Sequence, residues 1–474
     1  MKLPTIIQGG MGVAISDWKL ARTVSKLGHL GVVSGTGLGP ILAARLQDGD
    51  PGGHCRRALA AFPFQEPAQH ILEKYYVEDG IGPNTAYKRA TMWSVTPTVE
   101  LNQLTVIANF AEVWLAREGH TGLVGINLLE KVQLPNLSSL YGAMLGGVDV
   151  VIMGAGVPIQ IPGVLDDLAH HKAVSYRLDV IGAGADDDFR IYFDPEAAFP
   201  GVTKLIGALR RPMFLPIISS NVLAQALLKR STGEVDGFVI ETPIAGGHNA
   251  PPRGPLNLNE HGEPVYSEKD IVDLEKLKTL GKPFWLAGGY GDPDKLREAL
   301  DAGAAGIQVG SAFAFCEESG MEHGLRQRVV EQVLAGEADV HTSPLASPTG
   351  FPFKVVRIED TLSEANVYAE RERVCDIGFL RLMYRREDGR IGYRCPAEPL
   401  EQYVKKGGKA ADTEGRTCLC HNLSATAGFA NHKKDGYVEP PLVTSGDDLV
   451  NITRFIKAGA TSYTAQDVIE HILG

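Results

Sequence analysis

The chain has 474 residues, of which 44% are hydrophobic and 22% are charged, a balance typical of a folded globular protein. Its formal net charge of -11 argues against a nucleic-acid or anionic-membrane partner, because both favour a basic face. No apolar run reaches the ~18–20 residues that a membrane span needs, and no charged leader precedes the first strand-like segment. We therefore expect a cytoplasmic protein.

Short β-branched runs that end near glycine alternate with helical patterns over the first two-thirds of the chain. The runs are 5–10, 31–35, 123–129, 148–156, 213–220, 235–241, 283–289 and 306–311. Continuous apolar strands that alternate with helices indicate a parallel sheet buried on both faces. Eight such units predict an α/β protein with a (β/α)₈ TIM barrel, whose site lies at the C-terminal ends of the strands.

Three regions depart from this repeat. A long insertion, about 47–119, follows the second strand and ends in a helix around 104–117 that we interpret as amphipathic. Residues 174–199 are typical of a hairpin. We predict a barrel over 1–345 and a mainly helical C-terminal extension or lid over 346–474, because large additions on the loop face often cover the active site.

Two consecutive strands near the end of the barrel carry glycines suited to a phosphate. Gly288 and Gly289 follow the seventh strand, and Gly310 precedes Ser311 after the eighth. Glycines let backbone N–H groups approach a phosphate closely, and a short helix adds further donors. One such glycine would indicate a tight barrel turn, whereas two glycine-bearing strands favour phosphate binding.

His248 lies after the sixth strand, in the segment Ala245-Gly-Gly-His248. A histidine lifted from a strand end by paired glycines is well placed for proton transfer, since its ordinary pKa is near neutral. Isolated histidines more often serve as structural hydrogen-bonding groups. The location at the catalytic end of the predicted barrel favours the functional interpretation.

Four cysteines fall within the C-terminal region: Cys375, Cys395, Cys418 and Cys420. Structural zinc usually requires pairs of cysteines with two to four residues between them. Cys418 and Cys420 have only one residue between them, and Cys375 and Cys395 are isolated. We therefore expect buried or pocket-lining thiols and no metal.

The segments 6–12, 125–127, 245–248, 287–289 and 308–311 together resemble the nitronate monooxygenase (2-nitropropane dioxygenase) family, which includes FMN-dependent enoyl-acyl-carrier-protein reductases. The resemblance covers most of residues 3–320 and implies FMN as cofactor, with His248 as the catalytic acid or base. The candidate cofactor-binding residues are Gln8, Gly9, Gly10, Met11, Asn127, Ser219, Gly247, Gly288, Gly289, Gln308, Gly310 and Ser311.

The resemblance leaves the reaction open between two enzyme classes. The first is oxidation of alkyl nitronates or nitroalkanes with O₂. The second is NAD(P)H-dependent reduction of an enoyl thioester, because the insertion and the segments 216–220 and 414–421 are similar to the larger enoyl-reductase subunits of polyunsaturated fatty-acid and polyketide synthesis. A non-catalytic barrel subunit is the third interpretation. Either enzyme takes a small-molecule substrate, and a homodimer is the assembly we consider.

Overall fold

The computed structural model describes residues 2–433 and 435–474. In chain order its strands are β1 (Ile6–Gln8), β2 (Gly31–Ser34), β3 (Val124–Leu129), β4 (Val150–Gly154), β5 (Val174–Arg177), β6 (Val180–Ile181), β7 (Arg190–Phe193), β8 (Met213–Ile218), β9 (Phe238–Glu241), β10 (Phe284–Ala287), β11 (Gly306–Val309), β12 (Val340–Ser343), β13 (Phe353–Val356), β14 (Leu382–Arg385) and β15 (Ile391–Arg394).

The α-helices are α1 (Trp18–Lys26), α2 (Leu38–Gln47), α3 (His54–Ala61), α4 (Gln65–Tyr75), α5 (Val99–Arg117), α6 (Asn136–Leu145), α7 (Ile161–Leu168), α8 (Pro195–Ala198), α9 (Val202–Leu205), α10 (Asn221–Arg230), α11 (Leu274–Lys278), α12 (Pro293–Asp301), α13 (Ser311–Ala314), α14 (His323–Ala335), α15 (Ala365–Glu370), α16 (Leu400–Lys405), α17 (Leu419–Thr426) and α18 (Ala465–Leu473). Short 3₁₀ helices cover Glu268–Asp270, Ala410–Thr413 and Asp447–Phe455. Within the described ranges, no helix has both the length and the apolar composition to cross a bilayer.

Eight parallel strands form the central sheet in the order β1-β11-β10-β9-β8-β4-β3-β2. A parallel bridge between Ile7 and Leu30 closes the remaining seam, where the Gln8 amide donates to the Leu30 carbonyl over 2.9 Å. Each of these strands lies within one of the eight predicted runs. The TIM barrel is therefore confirmed, with strands that stop short of the glycine turns.

Alternation along the strands explains why the runs are continuously apolar. One set of side chains fills the barrel, and the intervening set packs against the surrounding helices, so both faces of each strand are buried. The inward set forms a separate cluster of Ile7, Leu30, Val32, Val150, Ile152, Leu215, Val239, Trp285 and Ala287. This packed core supports the residues at the C-terminal ends of the strands.

The insertion contributes α3, α4 and the long helix α5. The expectation of an amphipathic helix around 104–117 is wrong, because α5 is buried on nearly every side. It packs among α1, α2, α3, α4 and α6, and even Glu112 is buried within it. The Glu112 carboxylate accepts a hydrogen bond from the Trp18 amide over 2.8 Å and pairs with Arg45 over 2.6 Å.

The hairpin expected over 174–199 is present, since β5 pairs antiparallel with β7 from Val174–Phe193 to Arg177–Arg190. Between them, β6 pairs in parallel with β14 of the C-terminal extension. The extension contains the expected helices, including α17 and α18, together with strands that the sequence did not indicate. The antiparallel pair β12–β13 spans residue 345, where we placed the domain boundary.

Candidate functional site

A cavity of about 460 Å³ lies at the C-terminal ends of the barrel strands. Every residue predicted for the site lines it except Gln8. The predicted residues that it brings together are Gly9, Gly10, Met11, Asn127, Ser219, Gly247, His248, Gly288, Gly289, Gln308, Gly310 and Ser311.

Gln8 is fully buried on the outer face of β1, because it follows the inward-facing Ile7. Its side-chain amide accepts a hydrogen bond from Val32 N over 3.0 Å and donates to Ser16 Oγ over 2.9 Å. These contacts tie β1 to β2 at the seam of the barrel. The structure thus places Gln8 in the scaffold, away from the cavity.

Polar side chains replace apolar ones at the top layer of the barrel interior. Asn127, Ser219, Glu241 and Gln308 continue the inward-facing positions of their strands and line the cavity; we call them the floor. Asn127 Nδ2 donates to the Gly10 carbonyl over 2.9 Å. Within the described part of the chain, Asn127 Oδ1 and Gln308 Oε1 are buried without a hydrogen-bond partner. Two of the four floor side chains therefore carry an unpaired oxygen atom within that part of the chain.

The glycines after β10 and β11 form one edge of the cavity. Gly288 and Gly289 have φ of +93° and +74°, a conformation that side chains other than glycine rarely adopt. A Cβ atom on Gly288 would lie 2.1 Å from Thr242 Oγ1, so the backbone approach is also tight. Ser311 Oγ accepts a hydrogen bond from Gly446 N over 2.8 Å. The extension therefore contacts the edge that we predict to hold the phosphate.

His248 lies in the loop after β9 and forms an antiparallel bridge with Phe353. Its ring packs against Phe353 in a T-shaped arrangement with centroids 4.8 Å apart. Nε2 lies 2.6 Å from Ser347 Oγ, a hydrogen bond whose donor depends on the histidine tautomer. Strand-like pairing, aromatic packing and this hydrogen bond fix the ring at the cavity.

Burial lowers the pKa of His248 to about 4, and the nearby Lys131 ammonium contributes in the same direction. Lys131 Nζ lies 3.6 Å from the centroid of the Phe351 ring. Part of the His248 surface faces the cavity, although protein encloses the residue on the other sides. At neutral pH the imidazole is therefore uncharged and able to accept a proton.

Glu241 is the last residue of β9 and a floor residue that our sequence analysis did not assign to the site. Burial raises its pKa to about 8, so the carboxyl group carries its proton at neutral pH. Glu241 also borders a small second cavity shared with Ser219, Arg253, Tyr266 and Asp270. The alternation of β9 was the sequence signal, since Glu241 follows the inward-facing Val239 by two residues.

The C-terminal extension covers the cavity with apolar side chains. Phe351, Phe353, Phe379, Leu419 and Leu423 line it opposite the barrel; we call them the roof. The sequence predicted a lid over 346–474 but did not indicate which residues reach the cavity. Ser347, which contacts His248, was missed for the same reason, because these contacts are distant along the chain.

The four C-terminal cysteines, which come from three places in the sequence, meet in one cluster. Cys395 and Cys418 are buried, Cys375 and Cys420 pack against them, and all four are free thiols. Cys420 also lines the cavity, as expected for a pocket-lining thiol. Across residues 2–433 and 435–474, no group of three or more His, Cys, Asp and Glu side chains is placed to hold a metal ion.

Comparisons with known proteins agree with the family resemblance. Residues 208–343 match the sequence model of the nitronate monooxygenase family. The resemblance is confirmed over that segment. A probable nitronate monooxygenase from Bacillus subtilis (strain 168) is 33% identical over 129 residues, which are 27% of this chain and 34% of that protein. The alignment therefore spans about a third of the relative's length.

Similar solved structures include FabK from Thermotoga maritima, at 14% identity and a TM-score of 0.47 over 100% of this chain and 92% of that one. Nitroalkane oxidase from Streptomyces ansochromogenes overlays at 14% identity and 0.46, covering 99% and 94%. The enoyl reductase domain of MlnA from Bacillus amyloliquefaciens overlays at 12% and 0.48, covering 99% and 93%. The barrel assignment rests on the strand pairing of this chain.

The segment that matches the nitronate monooxygenase family contains much of the cavity. It includes Glu241, His248, the glycines after β10 and β11, and Ser311. The roof residues begin at Phe351 and lie outside it. The family match thus covers the histidine loop and the glycine edge, whereas the roof belongs to the part of the chain that the match does not reach.

Proposed function

We propose that this protein is an FMN-dependent oxidoreductase of the nitronate monooxygenase type. The observation that carries the proposal is His248, an uncharged imidazole fixed at the cavity within the segment that matches that family. An uncharged histidine in an enclosed site is equipped to take a proton from carbon. The substrate class is therefore alkyl nitronates and nitroalkanes, with O₂ as the oxidant.

The cavity has groups suited to both polar parts of FMN, the ring and the phosphate. Within the described residues Asn127 Oδ1 and Gln308 Oε1 have no hydrogen-bond partner, and their side chains line the cavity, where one of them could accept from the N–H group of a flavin ring. The close backbone approach at Gly288 and Gly289 leaves amides, rather than side chains, at the edge suited to a phosphate. Bound there, the flavin would supply the electron-transfer chemistry, and the protein its position and surroundings.

The residues around the cavity support proton transfer by His248. Its low pKa keeps the imidazole uncharged throughout the neutral range. Ser347 and Phe353 hold the ring in one orientation, which a general base requires. The roof lines the cavity with apolar side chains, so a nitroalkane anion would meet a site of low polarity. His248 thus removes the α-proton of a nitroalkane, or contacts the anion when the substrate enters as a nitronate.

One observation favours a second candidate, an NAD(P)H-dependent enoyl-thioester reductase. The roof adds a broad apolar surface from Phe379, Leu419 and Leu423, more than a short nitroalkane needs. Such a surface suits a longer acyl chain. In that reaction the protein would need to deliver a proton to the product instead of removing one.

Oxygen uptake by the FMN-loaded protein tests the proposal. We expect O₂ consumption with propionate-3-nitronate and none with NADH or NADPH alone. NAD(P)H oxidation that requires an enoyl thioester, without nitronate-dependent oxygen uptake, would replace the first candidate by the second. A protein that neither binds FMN nor responds to either substrate would contradict both.

A further inference from the structure

The Glu241 carboxyl group lines the cavity but has no part in the proton transfer that we propose for His248. It lies in the top layer of the barrel interior, two residues beyond the core residue Val239. Two other inward positions of the barrel, on β3 and β11, carry Asn127 and Gln308, whose side-chain oxygen atoms have no partner within the described residues. Glu241 therefore belongs to one polar layer together with the amides that we assign to the flavin ring.

The carboxyl group has no ion-pair or hydrogen-bond partner within residues 2–433 and 435–474. Enclosure by protein is the cause of its raised pKa, with no charged neighbour contributing. A buried acid without a partner costs free energy unless it remains protonated or finds a ligand. In this layer the carboxyl group faces the cavity, so a bound molecule can provide the missing partner.

Other titratable groups line the two cavities that Glu241 borders, and within the described residues none of them pairs with it. They are His248, Cys420 and Asp448 in the main cavity, and Arg253, Tyr266 and Asp270 in the second one. Asp448 is paired with Arg454, and Tyr266 donates to the Ala250 carbonyl over 3.0 Å. Asp270 accepts from the Arg253 amide over 2.8 Å. These polar groups are occupied, which leaves the Glu241 proton available to a ligand.

We propose that Glu241 contacts the flavin and that its protonated carboxyl group donates a hydrogen bond to the polar edge of the ring. Asn127 and Gln308 carry the free acceptor atoms of the same layer, and Glu241 carries the donor. The combination matches a ring edge on which one N–H group lies between two carbonyl oxygens. This inference rests on the proposed function, because it requires FMN in the cavity.

The test is the affinity of the flavin-free protein for FMN at pH 7.0 and pH 9.0, measured by quenching of FMN fluorescence. Ionisation of Glu241 between these pH values removes the donor. The fraction of protein molecules in which Glu241 is protonated falls from about nine-tenths to about one-tenth. The dissociation constant of the wild type should therefore rise about tenfold. Glu241→Gln keeps a donor at both pH values and should change less than about threefold.

Two further variants complete the design. Glu260→Gln removes a carboxylate whose side chain is 87% exposed, and it should reproduce the wild-type rise. Glu241→Met should bind FMN more weakly at both pH values and without the pH dependence. Circular dichroism at each pH establishes that every variant is folded, and the wild-type profile remains informative if a Glu241 variant is not.

The outcomes separate the inference from the proposed function. A wild type that binds FMN equally at both pH values, or a Glu241→Gln variant with the wild-type pH dependence, would overturn the role of Glu241 and leave the flavin assignment intact. Absence of FMN binding by the folded wild type at either pH would overturn both.

Discussion

At the scale of single residues, burial at the cavity lowers the pKa of one histidine and raises the pKa of one glutamate. His248 is uncharged because burial disfavours its cation, and Glu241 carries its proton because burial disfavours its anion. Groups whose pKa values are pushed in opposite directions in one site are typical of acid–base catalysis. The imidazole accepts protons and the carboxyl group donates hydrogen bonds at the same pH.

Replacing His248 by alanine tests its role in turnover. We expect turnover with a nitroalkane to fall ~10²–10⁴-fold, the range for a general acid or base, while FMN remains bound. Turnover and flavin absorbance are measured on the same preparation. His261→Ala is the matched control, because its side chain is 70% exposed in the same connecting segment. Unchanged turnover in His248→Ala would remove the residue from the mechanism.

Burial of Glu241 predicts a loss of stability at alkaline pH in the flavin-free protein. The unfolded carboxyl group ionises near its ordinary pKa of 4.5, whereas the folded one keeps its proton up to about 8. Stability therefore falls as pH rises across this interval, by roughly 1.4 kcal/mol for each pKa unit of difference. Thermal melts at pH 6 and pH 9 should show a larger drop for the wild type than for Glu241→Gln. Equal drops would indicate that the carboxyl group is not buried.

His248 predicts the opposite pH dependence. The unfolded imidazole gains a proton near pH 6.5, whereas the folded one remains neutral down to about pH 4. Stability is therefore lost as pH falls between these values. Thermal melts between pH 7 and pH 4.5 should show a smaller decline in His248→Asn than in the wild type, and an unaltered decline would contradict the assignment.

At the scale of elements, a buried charge network fastens the insertion to the barrel. Glu112 on α5 pairs with Arg45 on α2 and accepts from the Trp18 amide at the start of α1. Asp17 lies 3.8 Å from Arg45, and burial raises its pKa to about 6. One carboxylate thus joins three helices, which explains how a charged residue is accommodated in the interior of α5.

Removing this carboxylate should be costly. Glu112→Ala leaves Arg45 and the Trp18 amide without their partner, and we expect a loss of about 3 kcal/mol in the free energy of unfolding. Denaturant unfolding measures the loss. Asp167→Ala breaks the exposed pair with Lys172 and should cost less than about 1 kcal/mol. A similar small loss in both variants would show that the network does not hold the insertion.

The elements also show where sequence reasoning succeeds. Barrel strands are predictable because both of their faces are buried, which gives runs such as 213–220 that few other structures produce. The helix α5 was misjudged because helices cover it on nearly all sides, so its sequence pattern does not mark one solvent face. Gln8 was assigned to the cofactor site because of the motif that contains it. Side chains alternate between the two faces of a strand and Ile7 faces inward, so this alternation would have placed Gln8 outside the cavity.

At the scale of the whole molecule, the site is completed by a segment far away in the chain. The barrel provides the floor and the glycine edge, and the extension provides the roof and the rim at Ser445 and Gly446. The length and position of the extension are enough to predict a lid from a single sequence. Its contacts, such as that between Ser347 and His248, depend on long-range packing that local patterns do not contain.

Gly246 is the point at which the extension presses against the histidine loop. A Cβ atom there would lie 2.7 Å from Gly446 N and 2.8 Å from the Ser445 carbonyl carbon. Gly246→Ala should displace this rim, at a cost of about 1–3 kcal/mol, and weaken FMN binding by roughly tenfold or more. Gly207→Ala is the control, because its Cβ would meet open space. Equal FMN affinity in both variants would show that the rim does not shape the site.

Anaerobic reduction of the bound flavin tests the central claim most directly. The FMN-loaded protein is mixed without O₂, in separate experiments, with propionate-3-nitronate and with NADH or NADPH, and the visible absorbance of the flavin is followed. We expect the nitronate to reduce the flavin, and neither NADH nor NADPH to do so. Rapid bleaching by NADH or NADPH, with no response to the nitronate, would contradict the account.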